Sequence, residues 1–245
     1  AYAYAYAYAY THIHTYTHIH TRSCEIAEHT SIKMALTTHI NTITKTNIDT
    51  NTPINQKERN LVNCVFEGSV ELGSGVLIGP NCQIKETPIE DKASILADSV
   101  IEASSIGSGA VVGPFARLRS GTDLAENSKV GNFVETKKAA VGKSSKISHL
   151  SYIGDAQLGD NVNIGAGTIT CNYDGDKKHP TQVGDDVFVG SNSTLVAPLC
   201  LSDGAFVAAG STITKTVGDD ELGIGRAKQR NISSWKSPAK KAKEE

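Results

Sequence analysis

The chain has 245 residues, 39% of them hydrophobic and 20% charged, which suits one extended domain or one domain with appendages. A formal net charge of −2 gives no general attraction to nucleic acid or to an anionic membrane, and no run of about 18 apolar residues predicts a transmembrane helix. Five cysteines (24, 64, 82, 171 and 200) without a charged–apolar–small leader before them favour a reducing, cytoplasmic setting over a secreted disulfide framework.

Residues 1–21 repeat Ala-Tyr five times and then alternate Thr, His, Ile and Tyr. In an extended strand this alternation places every Tyr and His from Tyr2 to His20 on one face, with Ala, Thr and Ile opposite. The same-face pairs His12/His14 and His18/His20 have the look of a metal site, but the tract reads better as an engineered, tag-like segment, and no metal ligand is assigned. Residues 22–63 form an atypical Thr/Asn-rich lead-in with weak six-residue echoes at Ile26, Ile32, Ile48 and Ile54. Its Thr42/Thr44/Thr46 and Thr50/Thr52 spacings allow an ice-binding array, or simply the exposed face of a strand.

From residue 64 to residue 217 a bulky residue returns almost every six positions, as in Ile78, Ile84, Ile95, Ile101, Val112, Leu118, Val130 and Ile147. Four positions later stands a smaller residue, as in Cys82, Ala93, Ser99, Ala110, Ala116 and Ser128. A period of six fits neither a helical stripe nor a simple alternating strand; it predicts hexapeptide repeats coiled into a parallel β-helix. Each hexad makes one short strand and a corner, three hexads close a triangular coil, and stacking supplies the core that one coil lacks. Gaps of five at Ile84–Ile89, Ile101–Ile106, Thr136–Val141 and Ile153–Leu158 set the register. Ile84, Ile101, Leu118, Thr136 and Ile153 then fall 17, 17, 18 and 17 residues apart and are expected to stack on one wall.

With the first and fifth hexad positions turned inward, other polar residues must face out. Arg119 and Lys137 occupy equivalent outward places one coil apart, and two like charges held about 5 Å from each other favour an anion between them. His149 is outward too, at the third position of its hexad. If residues 171–182 are an insertion within one hexad, Ala166, Ser191 and Ala209 follow His149 in a column about 14 Å long. A lone outward histidine is more often incidental; the three small residues beside it suggest a groove with a base at one end.

The rhythm breaks for Cys171-Asn172-Tyr173-Asp174-Gly175, a polar stretch expected to leave the coil as a loop. It ends past Ile213, and residues 218–245 read as a C-terminal arm and basic tail. Residues 226–245 carry seven Lys/Arg against two Glu. Trp235 is either a packing anchor for a solvated tail or part of an arm reaching phosphates or a neighbouring subunit.

The stretches Gly113-Pro114-Phe115-Ala116-Arg117-Leu118-Arg119, Val130-Gly131-Asn132-Phe133-Val134-Glu135, His149-Leu150-Ser151-Tyr152, Asn163 to Gly175 and Gly184 to Ser191 resemble the C-terminal acetyltransferase domain of the bacterial bifunctional GlmU family. That family joins glucosamine-1-phosphate N-acetyltransferase to N-acetylglucosamine-1-phosphate uridylyltransferase, and the resemblance spans about residues 64–236. It implies an all-β, left-handed parallel β-helix assembled as a homotrimer with active sites between subunits. It further implies His149 as the catalytic base, with Arg119, Lys137, Tyr152 and Asn163 on glucosamine-1-phosphate. Ala166, Asn172, Tyr173, Ser191, Ala209 and Arg226 would line the site for acetyl-CoA, the co-substrate. The product would serve UDP-GlcNAc and cell-envelope synthesis.

Some features depart from the family. Ser120 stands where Pro is usual after Arg-x-Arg, twelve residues (52–63) separate the Ile48-Asp49-Thr50-Asn51 echo from Cys64, and no uridylyltransferase motif is present, so uridylyl transfer is not expected. Other readings are a hexapeptide acyltransferase for another acceptor, or a β-helical structural or ice-binding scaffold. A γ-type carbonic anhydrase needs three converging histidines, whereas the repeat region holds only His149 and His179.

Overall fold

The computed structural model of the chain describes residues 61–236. The Ala-Tyr and Thr-His tract, the threonine-rich lead-in and the last nine residues of the tail lie outside the described residues. Among the described residues every regular element is a short β-strand, from Val65–Leu72 to Leu222–Gly223, and the ladders between strands are parallel. This is the parallel β-helix that the period of six predicts.

The bulky residues build three walls. On the first, Phe66, Ile84, Ile101, Leu118, Thr136 and Ile153 pair in succession, which is the expected column with one coil added at its start. On the second, Leu72, Ile89, Ile106, Leu124, Val141, Leu158, Val183 and Leu201 follow one another. On the third, Ile78, Ile95, Val112, Val130, Ile147, Ile164, Val189 and Val207 do. Three of the four five-residue gaps lie in strands that run on from the first wall into the second: Gln83–Ile89, Glu135–Val141 and Tyr152–Leu158.

Both inward positions are filled as expected. Leu118, Val130, Ile147, Cys82, Ala93, Ala110 and Ser128 are all inaccessible to solvent. Burying each large aliphatic contributes roughly 1.5–3 kcal/mol. Three of the small serines donate to nearby carbonyls: Ser99 to Leu96 at 2.9 Å, Ser128 to Ala125 at 2.7 Å and Ser145 to Gly159 at 2.7 Å. Thr136, the one hydroxyl in the first-wall column named above, meets the Thr122 hydroxyl at 3.0 Å inside the core. Burial pushes the Cys82 thiol up, so it acts as a small filler rather than a nucleophile.

The stack goes further than the legible repeat. Val217 bridges to Leu201, Leu222–Gly223 pairs with Phe206–Val207, and Thr212 N–H donates to the Gly225 carbonyl at 2.9 Å. Gly223 occupies the place where a bulky residue would mark the next hexad, so the sequence carries no signal there. An added Cβ on it would meet the Val217 side chain at 2.8 Å, because Val217 leans into that space.

Candidate functional site

His149 ends the strand Lys146–His149 and is exposed. Leu150 follows with a φ of 50°, which turns the chain through the corner between the third wall and the first. One coil earlier in the same register stands Asn132, whose Oδ1 meets His149 Nδ1 at 2.5 Å. Gly131 makes this close stacking possible: a Cβ there would collide with the Ser148 carbonyl oxygen.

Past His149 the expected column is realised. Ile147, Ile164, Val189 and Val207 pair in sequence, so Ala166, Ser191 and Ala209 take the equivalent outward places. Backbone bonds tie the corner together, with Gly167 N–H to Leu150 O at 3.1 Å, Asn192 N–H to Ala166 O and Gly210 N–H to Ser191 O, both at 2.8 Å. The corner residues themselves change at this point. Phe115, Phe133 and Leu150 are large and exposed, the two rings stacked at 5.4 Å, whereas Gly167, Asn192 and Gly210 are small. A ridge therefore gives way to a shallow channel beside His149. At the channel's far end Arg226 runs past Gly210, its Cδ 3.9 Å from where a Cβ on that glycine would stand.

The cations stand on the first wall. Leu118 pairs with Thr136, so Arg119 and Lys137 occupy equivalent places one coil apart, as their spacing predicts. Arg119 Nη1 bonds Glu135 Oε1 at 3.0 Å, and both side chains remain partly exposed. Lys137 has a further neighbour, Lys178 from the loop. The Lys178 ammonium, then loss of solvent, hold the Lys137 amine below the usual lysine value; Arg119 adds to this and Asp155 opposes it.

The loop leaves after Cys171 and returns at Thr181, and the strands on either side of it both pair with Tyr152–Leu158. Tyr152 pairs with Ile169 while Leu158 pairs with Val183, so the excursion lies within one hexad. It holds its own shape. Asp174 Oδ1 accepts from the backbone of Asp176 at 2.8 Å and Lys177 at 2.7 Å, and His179 Nε2 meets Asp174 Oδ2 at 2.6 Å. The Lys177 backbone donor first, then His179 and the Asp176 backbone donor, hold the Asp174 carboxyl well below the ordinary carboxylate range.

The sequence-derived residues fall into two groups within one chain. His149, Ala166, Ser191, Ala209 and Arg226 share the third-wall corner, whereas Arg119, Lys137 and Tyr152 lie on the first wall. Asn172 is buried on the loop side of that wall, donating its amide to Asp155 Oδ2 at 2.5 Å, and with the Tyr152 hydroxyl it crowds over Gly154. Tyr173 is exposed on the loop, its hydroxyl donating to the Gly175 carbonyl at 2.5 Å. Asn163 faces out from the third wall in register with Lys146 and Phe188, so the His149 corner lies between it and the cations. Sequence reasoning did not single out Asn132, Glu135 or Lys178. Column arithmetic from His149 gives Asn132; nothing in the repeat gives Lys178. No group of three His, Cys, Asp or Glu fit for a metal occurs among the described residues, and no described helix is long and apolar enough to cross a membrane.

The described residues thus form a hexapeptide-repeat β-helix that presents an imidazole, a cation cluster and a row of small residues on its outer surface. A family model described as the hexapeptide repeat of succinyl-transferase matches residues 180–215. The particular relatives are bifunctional GlmU proteins. That of Marinobacter nauticus is 62% identical over 179 residues, covering 73% of this chain and 39% of that protein. Those of Pseudoalteromonas atlantica, 55% identical over 179 residues, and Marinomonas sp., 58% identical over 180, cover 73% and 74% of this chain and 40% of their own lengths. The chain thus spans 39–40% of the length of these relatives.

Proposed function

We propose that this chain transfers the acetyl group of acetyl-CoA to the amine of glucosamine-1-phosphate, giving N-acetylglucosamine-1-phosphate. One observation carries the reading: the outward imidazole of His149 opens a column of Ala166, Ser191 and Ala209 that ends near Arg226. The small residues leave room for an extended acyl-carrier arm, and Arg226 offers a guanidinium to its phosphates. Arg119 and Lys137, with Lys178, supply the positive field for the sugar phosphate.

His149 takes a proton from the sugar amine as that nitrogen attacks the thioester carbonyl. The tetrahedral intermediate then expels the coenzyme A thiolate, which recovers the proton. An amine is nucleophilic only when unprotonated, and such base catalysis contributes typically about 10²–10⁴-fold. The working unit is a homotrimer in the cytoplasm. In it a neighbouring copy brings Asn172 and Tyr173 to the channel, which suits their distance from it within one chain, and Tyr152 and Asn163 complete the sugar site across the same interface.

The test is coenzyme A release by the purified protein with acetyl-CoA, with and without glucosamine-1-phosphate. Release that requires the phosphorylated sugar supports the reading. No release under any condition favours a β-helical scaffold, and release with a different acceptor favours another hexapeptide acyltransferase.

A further inference from the structure

We infer that Asn132 is a positioning residue for His149, holding the imidazole in the tautomer whose Nε2 is free to accept the substrate proton; this rests on the function proposed above. The two residues occupy the same hexad place one coil apart and are paired in register. An amide oxygen can only accept, so the 2.5 Å approach of Asn132 Oδ1 to His149 Nδ1 requires the proton on Nδ1. A neutral imidazole then carries its lone pair on Nε2. Free histidine side chains favour the opposite arrangement, so a base without this partner spends most of its time wrongly protonated.

The stack holds the pair rigidly. Leu150 N–H donates to the Asn132 carbonyl at 3.0 Å and Ser151 Oγ donates to the His149 carbonyl at 2.9 Å, fixing both backbones. The charged residues on the surrounding elements are Lys129 and Lys146 on the same wall and Glu135 beyond the corner, and Glu135 is engaged by Arg119. A neutral partner has one advantage over a carboxylate here. It sets the tautomer without placing a full negative charge beside the ring.

The test reads the tautomer directly, by ¹⁵N NMR of histidine-labelled full chain, with His149→Ala identifying the signal. The proposal expects the wild-type ring to carry its proton on Nδ1 at alkaline pH and the Asn132→Ala ring to shift toward the Nε2–H form. In kinetics, Asn132→Ala should lower kcat about tenfold to a hundredfold with KM for both substrates little changed, a smaller loss than removing the base. The isosteric Asn132→Asp should restore the tautomer while moving the acid limb of kcat/KM up by about one pH unit. A wild-type ring protonated on Nε2, or Asn132→Ala with unchanged spectrum and kcat, overturns the proposal. The spectrum decides the tautomer whether or not acetyl transfer is the activity, so failure of the functional reading remains distinguishable.

Discussion

Lys178, carried on the loop that interrupts the repeat, is the neighbour that most disfavours the charge of Lys137 on the first wall. An anion between them removes that repulsion. Inorganic phosphate and, more strongly, glucosamine-1-phosphate should therefore raise Tm, with the gain shrinking as sodium chloride screens the site. Lys137→Ala should abolish most of the gain. An equal rise in Tm for wild type and Lys137→Ala would show that these cations hold no anion. The sign for pH follows from the depressed lysine value: the charged pair opposes folding at neutral pH, and this penalty fades as pH rises through the Lys137 titration.

His149→Ala should reduce kcat by about two to four orders of magnitude while acetyl-CoA still binds, since the channel residues remain. Single-turnover kinetics beside a calorimetric titration separate the two. Turnover close to wild type would remove His149 from the base role.

Gly131→Ala places a methyl group against the Ser148 carbonyl, one residue from His149. The strands must part to admit it, so the substitution should lower both thermal stability and kcat. Alanine at Gly75, where φ is +70° and a Cβ would meet nothing closer than the Lys92 side chain at 3.7 Å, should cost stability through backbone strain alone and leave the His149 corner intact. Equal losses of kcat in the two variants would contradict the assignment of Gly131 to that corner.

Leu118 is fully buried near the middle of the stack, and Leu118→Ala should cost about 2–5 kcal/mol in denaturant unfolding. Leu150→Ala, at an exposed corner, should cost far less. A small change at Leu118 would mean that the interior column is not continuous through this coil.

Asp174→Asn weakens the carboxylate that gathers Asp176, Lys177 and His179. Hydrogen exchange should quicken in residues 172–180 and stay unchanged in the walls. Asp174 has its carboxyl pKa depressed by folding, so its contribution holds above the ordinary aspartate range and is lost only as pH falls through the lower, folded value.

The walls and the His149 column were legible because side-chain size repeats with the coil, and a fixed repeat turns sequence distance into spatial neighbourhood. Ile84 to Ile153 stack as counted, and the loop proves to be an insertion within one hexad, which is what aligns Ala166 with Ser191. Lys178 was not legible, since a residue in a loop that leaves the coil has no register to follow. Asn132 escaped notice for a different reason: an amide beside glycine looks like an ordinary corner until the imidazole above it is placed. The last coil was hidden by a missing side chain, that of Gly223.

That same glycine bears on how the molecule ends. A spiral of identical rungs has no inherent stopping point, and a bare final rung would offer its open hydrogen-bonding edge to the first rung of another copy. Here the buried Val217 side chain stands over the place that Gly223 leaves without one, so the interior of the last coil is closed by a neighbouring residue rather than by a bulky anchor of its own hexad. Past Gly225, whose carbonyl still accepts from Thr212, the chain leaves the stack toward Arg226.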